Sequence, residues 1–174
     1  TPYVYQGEEL GMTNTVFKSV DDFRDLESIN AYKELIESGL YTKEDMFPKI
    51  AHKSRDNART PMQWDASENA GFTAGTPWIA VNPNYKKVNG ADQLKREDSV
   101  FNYYQKLIRL RKENEIIVYG NYELLLPEDE NIFAYVRNYE NEKILVLCNF
   151  SKDSIAFDIP KEFKNGNIFI SNYD

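Results

Sequence analysis

Apolar residues change their spacing along this chain, and each change predicts a different kind of structure. Ile29, Tyr32, Leu35 and Ile36 recur at three- and four-residue intervals, so a helix is expected with Ser28 as its cap and Gly39 just past its end. Thr42 is placed to cap a further helical turn, and Pro48 predicts that any helix there restarts near Phe47 or Pro48. The clearest period lies in SVFNYYQKLIRLRKENE. With Asp98 or Ser99 as cap, Val100, Phe101, Tyr104, Leu107, Ile108 and Arg111 form an inward stripe, while Asn102, Gln105, Lys106, Arg109 and Lys112 face away. Beyond Gly120 the pattern alternates and predicts strands at 122–126, 132–139, 143–150, 155–159 and 167–170. Their separators PEDEN, YENE, SKDS and KEFKNG are turn-rich, with Asn141 and Asn165-Gly166 suited to tight connections, and a small antiparallel sandwich is expected. At the other end, the apolar run at 2–6 (PYVYQ) reads as a buried strand stopped by Gly7.

Residues 60–94 have no usable period and carry Pro61, Gly71, Gly75, Pro77, Pro83 and Gly90. Loops beyond about 15 residues are uncommon and usually either functional or disordered. Trp64, Phe72, Trp78, Ile79, Val81 and Tyr85 are too much apolar surface for a solvated linker, so a packed loop is expected. The stretch that leads into it, SRDNARTPMQWDASENAGF (54–72), concentrates arginines, acids and amides beside an indole. Such polar density next to aromatics suits a surface that holds a polyhydroxylated ligand. Arg55 and Arg59 lie four apart, so on a helical turn both guanidinium forks would leave one face and could bind carboxylates or adjacent hydroxyls. The alternative is a capped loop whose arginines pair with the neighbouring acids.

Composition narrows the function classes. With 21 Lys+Arg against 28 Asp+Glu the formal net charge is -7, which disfavours a polyanionic partner such as nucleic acid. The longest apolar runs are too short to span a membrane. The single cysteine, Cys148 in ILVLCNF, is expected to be a buried core thiol, and the single His52 has neither a second His nor a Cys pair, so no metal site is expected.

SRDNARTPMQWD, followed by NAGFTAGTPWIAVNPNY, resembles the oligo-1,6-glucosidase group of the α-amylase family of glycoside hydrolases. That group also holds dextran glucosidase, sucrose isomerase and trehalose-6-phosphate hydrolase. TPYVYQGEELGMTN (1–14) and DDFRDLESINAYKE (21–34) match two further blocks in the family's order, so the resemblance covers essentially the whole chain. It implies an α+β chain. Residues 1–117 would be the last β/α unit of a (β/α)8 barrel, with strand eight, its rim loop and helices, and helix eight. Residues 118–174 would be a small antiparallel β-sandwich domain, incomplete at its C-terminus. A whole barrel needs roughly 250 residues, so 174 residues fit only the C-terminal piece of such an enzyme.

The resemblance also implies chemistry. Family members cleave α-glucosidic bonds with retention through two carboxyl groups held roughly 5 Å apart. These and a third supporting acid belong to strands four, five and seven, which would precede Thr1, so no catalytic residue is expected here and the isolated chain is expected to be inactive. Glu9 is implied to be a structural carboxylate. Arg55 is implied to contact a ring hydroxyl of the non-reducing terminal glucose and to pair with an acid that lies upstream of this chain, and Arg59 and Glu27 to contribute to the next subsite; on residues alone, Glu27 reads first as an exposed acid favoured at a helix start. The implied substrate is a short oligosaccharide or related glucoside in a cytoplasmic enzyme, with no cofactor and no membrane partner. Trehalose-6-phosphate hydrolase shares the quoted blocks and remains an alternative. So does a stand-alone, noncatalytic carbohydrate-binding or interaction module. Studied by itself, the chain is expected to self-associate through its helix stripe and sheet edge.

Overall fold

The computed structural model describes residues 2–172. The chain divides into two units, one ending at Tyr104 and one beginning at Gln105.

In the first unit, helix α1 (Leu26–Glu37) lies where the apolar spacing predicts it, and helix α2 (Lys43–Lys53) follows the Thr42 cap. The cap of α1 differs. Asp25, not Ser28, accepts the N–H of Glu27, and the Ser28 hydroxyl instead donates to Asp25 from inside the first turn. Asp25 wins the position because its own N–H is bonded to the Asp56 carboxylate, which holds it in the extended conformation a cap requires. Helix α2 starts at the Thr42 cap and runs through Pro48 without restarting. Pro48 is exposed, and the carbonyl deprived of a partner belongs to Glu44, which is also exposed, so one lost bond does not break the helix.

Phe17, Phe23, Met46 and Ile50 are buried between these helices, with Ile29, Tyr32, Leu35, Ile36 and Phe47 packed around them. The rings of Phe17 and Phe23 stack at 4.3 Å. This core positions the site: α1 begins three residues after Phe23, and a 3₁₀ turn, Arg55–Arg59, follows directly on α2.

The aperiodic region 60–94 is packed, as expected. It contains 3₁₀ turns at Glu68–Gly71 and Pro83–Lys86 and the short helix α3 (Gly90–Gln93). The N–H groups of Gly90 and Ala91 bond the carbonyls of Gln63 and Trp64, both at 2.9 Å, so the loop closes on itself. Ile79 is buried, whereas Trp64, Phe72 and Trp78 are exposed. The strand expected at 2–6 does not form: no ladder partner lies beside it among the described residues, and Tyr3, Val4 and Tyr5 are exposed. An isolated apolar run has no backbone partner to make it a strand.

Helix α4 (Val100–Glu113) matches the clearest period, with the Ser99 hydroxyl accepting the N–H of Asn102 as its cap while Asp98 pairs with Arg96. None of its side chains is buried, and Val100, Leu107 and Ile108 of the stripe are exposed.

The second unit holds α5 (Glu115–Tyr119) and one antiparallel sheet of three strands, β1 (Asn121–Leu124), β2 (Ile132–Tyr139) and β3 (Glu142–Asn149), in the order β1-β2-β3. Tyr139 pairs with Glu142 across the two-residue turn predicted at YENE. Ile132, Ala134 and Val136 are buried on one face of β2. Strands expected at 155–159 and 167–170 are absent among the described residues; their alternation permits pairing, but neither meets a ladder edge, so the second layer of a sandwich is not built. Cys148 is half-buried rather than a core thiol. Its sheet face also carries Phe133, Tyr122 and Leu124, which remain exposed.

Candidate functional site

Serine at the end of α2 begins the site. The Ser54 hydroxyl accepts the N–H of Asp56 at 3.2 Å and starts the 3₁₀ turn that carries both arginines. A 3₁₀ turn rotates about 120° per residue, so residues four apart do not share a face as they would on an α-helix. The guanidinium groups accordingly diverge, each to its own carboxylate.

Arg55 Nη2 donates to Asp25 Oδ1 at 2.6 Å and lies 3.7 Å from Glu27 Oε2. Arg59 pairs with Asp56 and rests over the Trp78 ring, 5.3 Å from its centroid. Of the three residues picked out from the sequence, Arg55 and Glu27 are brought together, while Arg59 turns toward Asp56 and Trp78. The alternative of arginines paired with neighbouring acids holds for Arg59, whose partner Asp56 is three residues away, whereas Arg55 takes Asp25, 30 residues upstream. That pairing does not disarm Arg55, whose side chain is 66% exposed although its partner Asp25 is only 3% exposed.

The two acids do more than neutralise. Asp56 is fully buried, and its Oδ2 accepts the N–H groups of Arg24 at 2.7 Å and Asp25 at 2.9 Å. Asp25 in turn accepts from Arg55, Ser28 and the N–H of Glu27. The Arg55 hydrogen bond outweighs burial and holds the Asp25 carboxyl down to about 2. The same bond strengthens the hold of Arg55 on its proton. Both groups are thus charged throughout the neutral range. Sequence reasoning missed these two acids as organisers of the site. The available signal was Asp25 itself, a strong cap residue immediately before an apolar-periodic segment.

Beside Arg55 lies an open cleft of about 430 Å³ with mixed polar and apolar walls, among them Tyr5, Glu8, Met12, Thr13, Asn14, His52, Lys53, Asn57 and Met62. Thr13 and Asn14 of its wall are fixed by amides. Asn82 Nδ2 donates to the carbonyls of Thr13 at 3.0 Å and Asn14 at 3.2 Å, Asn84 Nδ2 donates to the Thr13 hydroxyl at 3.1 Å, and Gln63 Nε2 donates to Asn84 at 3.0 Å. Asn57 Oδ1 accepts the N–H of Thr15 at 3.1 Å. The loop 60–94 and the segment after Gly11 are therefore pinned to each other. Glu9 Oε2 accepts the N–H of Gly7 at 2.8 Å, closing its own turn. Such a surface of fixed donors and acceptors can bind hydroxyl groups. Among the described residues there is no group of three or more His, Cys, Asp or Glu side chains that could hold a metal ion. Nor is any helix among them long and apolar enough to cross a membrane.

The sequence profile described as "Alpha amylase, catalytic domain" matches residues 1–120, and that of "Maltogenic Amylase, C-terminal domain" matches residues 122–170. The chain belongs to the α-amylase family. It is 54% identical over 176 residues to an oligo-1,6-glucosidase of Parageobacillus thermoglucosidasius, covering all of this chain and 31% of that protein. It is 51% identical over 160 residues to the trehalose-6-phosphate hydrolase of Bacillus subtilis strain 168, covering 92% of this chain and 28% of that one. Among solved structures, the R201Q mutant of Bacillus licheniformis trehalose-6-phosphate hydrolase superposes with a TM-score of 0.86 at 49% identity, over 93% of this chain and 29% of that chain. The isomaltulose synthase SmuA of Protaminobacter rubrum gives 0.88 at 43% identity, over 92% and 29%. This member of the family thus spans about a third of the length of the relatives it matches. It comprises a portion of the α-amylase catalytic barrel and an antiparallel sheet domain.

Proposed function

We propose that this chain is the substrate-contacting C-terminal part of a retaining α-glucosidase that hydrolyses α-1,6 or related glucosidic bonds of short oligosaccharides. The observation that carries this reading is the arrangement of Arg55: its Nη2 is anchored on buried Asp25 and lies 3.7 Å from Glu27, while its largely exposed side chain borders the cleft. A fixed planar fork beside a carboxylate suits the vicinal hydroxyls of a pyranose ring. Arg55 contacts the terminal glucose, and Glu27 and Arg59 serve the adjoining subsite, with Trp78 backing Arg59. The nucleophile and proton donor come from other segments of the full-length protein, so the isolated chain does not hydrolyse glucosides. Residues 1–117 complete the barrel and 118–174 form the appended domain. The free Cys148 suits a reducing cytoplasmic setting.

A second substrate, trehalose 6-phosphate, is favoured by the 51% identity to a hydrolase named for it and by His52 and Lys53, which place basic groups on the wall of the same cleft. The deciding experiment compares kcat/KM of the full-length protein for isomaltose and trehalose 6-phosphate, each with Arg55→Ala. Preference for isomaltose with a loss of at least about tenfold in the variant supports the first reading, the size expected for a lost charge-assisted contact. Preference for trehalose 6-phosphate selects the second. Full activity in Arg55→Ala would overturn the assigned contact for both.

A further inference from the structure

We propose that Asp25 and Asp56 are positioning residues that bind Arg55, Glu27 and Arg59 into one mechanical unit. The inference rests on the substrate contact assigned to Arg55 above. The chain of bonds is continuous: Arg59 to Asp56, Asp56 to the N–H of Asp25 at 2.9 Å, and Asp25 to Arg55 at 2.6 Å. Asp25 also accepts the N–H of Glu27, so the carboxylate that anchors Arg55 fixes the start of the helix carrying Glu27. Both acids are buried and lie behind the arginines, away from the cleft whose wall includes Arg55. Neither is placed to touch substrate. Each acts through the guanidinium group it holds, since an exposed arginine with no anchor samples many rotamers and loses its fork geometry.

Asp25→Asn is the informative variant. Asparagine is as good a helix cap as aspartate, so α1 keeps its start, but the substituted amide no longer offers Arg55 a charged acceptor. The full-length protein is assayed as wild type, Arg55→Ala, Asp25→Asn and the double variant, with the melting temperature recorded for each. Positioning predicts that Asp25→Asn lowers kcat/KM by about tenfold at a temperature where the variant, although its melting temperature falls with the lost ion pair, is still fully folded, the loss expected when a charge-assisted hydrogen bond is removed. It also predicts that the double variant is no worse than Arg55→Ala alone, because asparagine keeps the cap at Glu27 and what Asp25→Asn loses acts only through Arg55. Wild-type kcat/KM in Asp25→Asn, or a double variant in which the two losses multiply, would overturn the inference. Failure of Arg55→Ala to change kcat/KM refutes the substrate contact instead, and the two failures are thereby told apart.

Discussion

The Asp56 carboxylate accepts the backbone N–H of Asp25 at 2.9 Å although 31 residues separate the two. With Arg24 it takes a second N–H from the same segment, and its other oxygen meets Arg59. This fully buried acid therefore joins the entry of α1 to the exit of α2. Removing it leaves two backbone donors and a guanidinium group without their acceptor. Asp56→Ala is expected to destabilise the protein by about 3 kcal/mol, the scale for breaking one side of a buried ion pair. Urea unfolding midpoints of the two proteins measure it.

Acid should act on Asp25 in a narrow window. Its folded carboxyl is held down to about 2 against an ordinary 3.8, chiefly by Arg55. A group with a depressed folded value contributes stability above its unfolded value and loses that contribution as pH falls toward the folded one. Wild type and Asp25→Asn should therefore differ by a constant amount above about pH 5, and the difference should shrink between about pH 4 and pH 2. Asp22, Asp65, Asp98 and Asp129 are also held low, so the overall acid slope is steeper than that of Asp25 alone. Comparing stability curves of the two proteins isolates the one group.

The hairpin joining β2 to β3 places Glu140 at φ 51, a left-handed conformation that costs a residue with a Cβ about 1–2 kcal/mol unless it is Gly, Asn or Asp. Glu140→Asn should recover part of that and raise the unfolding midpoint of the sheet domain. An unchanged or lowered midpoint, read by circular dichroism during urea titration, would show that Glu140 is held by something worth more than the strain.

Spacing told most about the elements whose partners lie close in sequence. The apolar intervals of α1 and α4, the Thr42 cap of α2 and the alternation of β2 and β3 came through because each signal is complete within its own segment. The run at 2–6 and the alternating stretches at 155–159 and 167–170 failed for the opposite reason: a strand exists only with a neighbour, and nothing local reveals whether one is present. Arg55 and Glu27 were legible through resemblance and do meet. Their anchoring by Asp25 was not, since the contact spans 30 residues and its geometry depends on a 3₁₀ turn where an α-helical spacing was assumed. Pro48 misled because sequence shows the missing donor but not that its side of α2 faces water.

On β2, Arg137 reaches the end of α5: its Nε donates to the carbonyl of Ile116 at 3.1 Å, and its Nη2 to those of Val118 at 3.4 Å and Gly120 at 2.6 Å. The Val118 carbonyl is one that a helix leaves unpaired at its C-terminus, while that of Ile116 also accepts the capping N–H of Gly120. The five-residue helix is too short to persist by itself, so its lifetime is borrowed from the strand that grips it. Amide protons of α5 should therefore exchange with deuterium in step with those of β2. Any excision of the sheet for separate study has to begin by Asn114, because a cut at Gly120 would take from the strand arginine two of the three carbonyls it holds.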